Sequence, residues 1–70
     1  MSRERAIGIA RRAGRVGARY PYVCARAYRQ AAALFAAVGE HTAARDCDEA
    51  AEIYDQVARM RAGRVACRAE

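Results

Sequence analysis

The 70-residue chain has no lysine and no tryptophan, a single proline, a single histidine and a single phenylalanine. The scarcity of histidine bears directly on chemistry. His41 stands beside an expected inter-helix turn with no neighbour arranged to orient it as a base, so the chain reads as a non-enzyme. A phosphate-cradling loop is missing as well, because Gly8, Gly14 and Gly17 fall inside a helical pattern with no strand before them. No apolar run is long enough for a membrane span, and no secretory hydrophobic segment is present. No small-molecule substrate is signalled.

Cysteine is sparse too. Cys24, Cys47 and Cys67 are odd in number and widely spaced, which excludes a disulfide framework and a Cys-x-x-Cys redox pair. Together with His41 they could number four zinc ligands, but the spacing fits no zinc module. Asp48 and Glu52, one helical turn apart, read with Asp55 as a solvated acidic face rather than a metal or acid–base site. No cofactor or metal is expected, and the free thiols fit a reducing cytoplasm.

What the chain does have is alanine and arginine. Half of its apolar residues, 19 of 38, are alanine, which favours helix but buries little surface. At roughly 1.5–3 kcal/mol per fully buried large apolar side chain, a lone domain is expected to bury nearly all of the few it owns. That shortage favours self-association or a partner protein. All 13 basic residues are arginine, a bias that a GC-rich genome imposes, as in a small accessory protein of such a bacterium or its phage. The net charge of +5 is segregated. Residues 1–29 carry eight arginines against Glu4, and residues 40–55 carry six acids against Arg45. The chain is therefore an electrostatic dipole.

Three helices are the natural parse, so the fold class is all-α: an antiparallel helical hairpin with an Arg-rich N-terminal helix. The first helix is expected from Ser2, as N-cap, to about Ala18, with Ala6, Ile9, Ala13, Val16 and Tyr20 on one stripe. The second starts at Pro21, which suits a first helical turn, and runs to about Val38 before Gly39. It shows two apolar stripes side by side. One is Val23, Ala27, Leu34 and Val38; the other is Cys24, Tyr28, Ala31 and Phe35. The third helix is expected from an N-cap at Thr42 to Ala62, ended by Gly63, with Asp55 and Arg59 as an i,i+4 pair. Ala44, Cys47, Ala51, Tyr54, Ala58 and Arg61 form its packed seam. Residues 1–63 read as one domain and 64–70 as a flexible basic tail.

Residues 25–58 resemble one tetratricopeptide repeat. Aligned on Gly39, Tyr28 takes the place of the family's tryptophan and Phe35 that of its tyrosine, while Ala44 and Ala51 match its two small residues. Ala31 and Ala32 depart from the family's leucine–glycine pair, Asp48 from a core aromatic and Gln56 from the closing proline. The resemblance implies a helical hairpin used for binding protein.

The function expected is that of a small adaptor, inhibitor or assembly accessory protein, acting through helix packing and charge complementarity on a protein partner or on a second copy. The alternative is nucleic-acid binding, because residues 11–29 interleave arginine with tyrosine. The residues expected to carry either activity are Arg12, Arg15, Arg19, Tyr20, Tyr22, Arg26 and Tyr28. Whether the basic first helix meets the acidic third helix within one chain or between two is left open by sequence.

Overall fold

A computed structural model describes the backbone of residues 2–69 and the side chains of residues 3–63. It is all-α. Helix α1 spans Ser2–Val16, a 3₁₀ turn covers Gly17–Arg19, α2 spans Pro21–Ala37 and α3 spans His41–Ala69. The Ser2 side chain and all side chains of the expected tail, 64–70, with Cys67 among them, lie outside those described.

Each corner follows from local chemistry. Gly17 takes φ +51°, a left-handed conformation that L side chains resist, so α1 tightens into the 3₁₀ turn two residues before its expected end. Tyr20 is extended ahead of Pro21, and its carbonyl accepts the Cys24 N–H at 3.0 Å to start α2. At the far end Gly39 takes φ +80°. The Gly39 N–H donates to the Ala36 carbonyl at 3.1 Å and the Glu40 N–H to the Phe35 carbonyl at 2.9 Å, a Schellman closure. The Glu40 carbonyl accepts the Ala44 N–H at 3.0 Å, so Glu40 ends one helix and opens the next. Thr42, expected as the cap, therefore sits inside the first turn of α3. Gly63 does not stop α3 either. It keeps a negative φ, and a glycine ends a helix by turning left-handed, not merely by its low propensity.

Helix α2 is the hub: it packs against both neighbours, whereas α1 and α3 scarcely meet. Ala6 of α1, Ala31, Ala32 and Phe35 of α2, and Ala44 and Cys47 of α3 form one buried cluster. The seam expected for α3 holds, with Ala44, Cys47, Ala51 and Ala58 buried and Tyr54 half-buried. Eight of the eleven buried apolar residues are alanine, and Phe35 is the one large side chain among them. The helices thus close on methyl groups and pack near to one another.

The expectation that nearly all large apolar side chains would be buried is overturned. Tyr20, Tyr22, Val23, Val38, Ile53 and Met60 are exposed. Of the two α2 stripes, Cys24, Tyr28, Ala31 and Phe35 face the interior. Val23 and Val38 face out, and Tyr20 leaves the α1 stripe because the turn at Gly17 breaks the helical register.

Candidate functional site

The interior side of α2 is chemically closed. Tyr28 stacks on Tyr54 with ring centroids 6.0 Å apart and planes 15° from parallel. The Tyr28 hydroxyl reaches α1 at Gly14, where an added Cβ would lie 3.6 Å away. The Cys24 thiol donates to the buried Ala13 carbonyl at 3.1 Å. Burial raises the pKa of both Cys24 and Cys47, the carboxylates of Asp46 and Asp48 adding to the effect at Cys47. Both thiols are therefore held protonated and unreactive. Arg61, from the far part of α3, donates to the Ala18 carbonyl and fastens the end of the first helical segment.

Arg29 organises the acids on this side. It pairs with Asp55, which is half-buried, and lies 3.7 Å from Glu52. The hydrogen bond to Asp55 raises the Arg29 pKa further above its already high range. Arg59 lies 3.7 Å from Glu52 instead of pairing with Asp55, because Asp55 is turned toward α2 and taken by Arg29. Arg3 reaches Glu40 at 3.4 Å. Among the described residues, no other ion pair links the three helices.

The outer side of α2 is open. Between α1 and α2 lies a groove of about 510 Å³, lined by Ile9 and Arg12 from α1 and by Val23, Arg26, Ala27 and Gln30 from α2. Half of its lining is apolar, with Val23 still 55% exposed, and the other half carries two guanidinium groups and an amide. Neither Arg12 nor Arg26 forms an ion pair among the described residues. The groove exists because α1 covers only part of the second α2 stripe.

Of the residues expected to bind, the fold brings Arg12 and Arg26 together in this groove. Tyr20 and Tyr22 stand exposed at the start of α2, and Arg15 and Arg19 are exposed on the preceding segment. Tyr28 is not with them: it is half-buried in the stack with Tyr54 and packs against the core. Of the expected acidic face, Asp48 and Glu52 are exposed and Asp55 is turned inward. Sequence reasoning missed Ile9, Val23, Ala27 and Gln30 as a binding surface. The available signal was the double stripe on α2, which is wider than one neighbouring helix can cover.

Among the described residues, no three His, Cys, Asp or Glu side chains gather to hold a metal, and no helix is long and apolar enough to cross a membrane. Comparison with protein-family models, with curated proteins and with solved structures returned no match.

Proposed function

We propose that the chain is a small non-enzymatic protein-interaction module whose α1–α2 groove takes an acidic, apolar-faced helix of a partner. One observation carries this reading: three apolar residues, Ile9, Val23 and Ala27, line one groove with two guanidinium groups that form no ion pair among the described residues. A helix presenting leucine-like side chains flanked by carboxylates complements both features. The exposed Tyr20 and Tyr22 extend the surface with the residue type that dominates binding hot spots. The tetratricopeptide-like hairpin belongs to the same reading, since Tyr28, Phe35, Ala44 and Ala51 all turn inward and leave other faces for docking. In a cell this is an accessory role in the cytoplasm, blocking a partner's surface or bridging subunits of an assembly.

Nucleic acid is the second reading, favoured by the arginines of α1 beside Tyr20 and Tyr22. An apolar lining contributes nothing to phosphate binding, so protein is preferred. Fluorescence anisotropy separates the two. A labelled helical peptide with glutamate and leucine at three-four spacing is titrated with the protein, and a mixed-sequence single-stranded oligonucleotide is titrated in parallel. Binding of the peptide, lost in both Val23→Glu and Arg26→Glu, is the expected result. Tight oligonucleotide binding that ignores Val23→Glu and collapses with salt would replace this reading with the nucleic-acid one.

A further inference from the structure

Helix α3 has an outer face that the fold does not use. Asp46, Glu49, Ile53, Gln56 and Met60 recur at alternating steps of three and four, and all are exposed. This stripe lies opposite the buried seam of Ala44, Cys47, Ala51 and Ala58. Ile53 at 58% and Met60 at 60% exposure are among the largest apolar side chains left to solvent. Neither Asp46 nor Glu49 forms an ion pair among the described residues. The face thus joins two exposed apolar side chains, Ile53 and Met60, to two acids at its N-terminal end, whereas the α1–α2 groove joins three apolar residues to two arginines. They cannot meet in one chain, because α2 holds the opposite side of α3 against itself.

We infer that the groove's partner is a second copy of this chain, docked through the outer face of its α3. The inference rests on the reading of the groove as a protein-docking surface. Two chemistries left unsatisfied on one molecule, opposite in charge and each carrying exposed apolar side chains, satisfy each other between molecules. The surfaces are unlike, so the contact is head-to-tail. Such a contact does not stop at a dimer; it adds further copies until a ring closes or a filament grows. It also supplies acids to Arg12 and Arg26 from a neighbouring chain, whereas Arg3 and Arg29 of the same basic segment pair within their own chain.

Sedimentation equilibrium of the full chain, over a concentration series at low and high salt, tests this. The mass of the native chain is expected to climb past the dimer value with concentration and to fall back in high salt. Ile53→Glu destroys the face but keeps the groove; Val23→Glu destroys the groove but keeps the face. Each variant alone is expected to be a monomer, and an equimolar mixture is expected to stop at a one-to-one dimer, since one intact pair of surfaces remains. Both positions are exposed, so circular dichroism should report unchanged helicity. Arg26→Glu and Glu49→Arg form a second pair of variants if either of the first two does not fold. A native chain that stays monomeric at all concentrations overturns the inference, as does either variant associating like the native chain. A monomer whose groove still binds the glutamate–leucine peptide loses only self-docking. A monomer that binds no peptide loses the docking groove as well.

Discussion

The two sides of helix α2 are built from opposite materials. The side facing the interior is sealed by small and aromatic groups: alanines 0–7% exposed, the Tyr28–Tyr54 stack, a buried thiol and an arginine shared by two acids. The side facing the groove keeps Val23, Arg26 and Gln30 in solvent. In most small domains large apolar residues are inside and small ones are indifferent. Here mostly methyl groups close the interior, and Val23, Val38 and Ile53 are left outside. On the proposed reading stability and binding belong to different faces of one helix, and substitutions should report on one without disturbing the other.

The most severe break falls on the sealed side. Phe35 is the only large side chain in the buried cluster, and Phe35→Ala should cost about 3–5 kcal/mol. That is much of what a chain of this size holds. Urea titration followed by circular dichroism should show the midpoint falling close to zero denaturant. The contrast sharpens with a gain in size at the same interface. Ala51 is wholly buried, and Ala51→Leu should destabilise by about 1–3 kcal/mol because the helices must separate to admit it. A stabilised Ala51→Leu would mean the seam has room to spare and the account of methyl-to-methyl closure fails.

A smaller effect comes from the buried thiols. Cys24 and Cys47 have pKa values raised by burial, so the folded chain keeps protons that the unfolded chain loses. Their stabilising contribution is complete below the unfolded thiol pKa, about 8.5, and is lost as pH rises through the folded values. Stability from urea titrations should therefore decline above about pH 8.5, with a shallower decline in Cys47→Ala. The smallest change in stability belongs to the open side. Val23→Glu should stay within about 0.5 kcal/mol of the native chain. Peptide binding by the same variant should nevertheless be abolished, which separates the two faces in a single protein.

How much of this was readable beforehand depends on the range of the interactions involved. The α3 seam was legible from Ala44 to Ala58, because a three-four repeat specifies which side of a long helix is buried, whereas Arg61 at its end is exposed. The turn at Gly39 was legible because a left-handed residue is needed there and glycine supplies it. The Asp55–Arg59 pairing was a local guess that failed, since Arg29 on another helix reaches Asp55 first. The place of Tyr28 was not legible for the same kind of reason. An aromatic residue at helical spacing serves equally as an anchor or as core until its neighbour, here Tyr54, is placed.

By itself the sequence determined an all-helical chain, its breaks before Pro21 and at Gly39, and the separation of basic and acidic segments. These rest on backbone propensity, capping and charge order, all of which act within a few residues. Only the tertiary structure decided which α2 stripe is covered, where Tyr28 and Asp55 turn, and that Ile9, Arg12, Val23 and Arg26 share one groove. The two stripes of α2 are nearly equivalent as local chemistry. Packing both α1 and α3 against one, with the other only partly covered, breaks that equivalence and leaves the arginine-edged surface open.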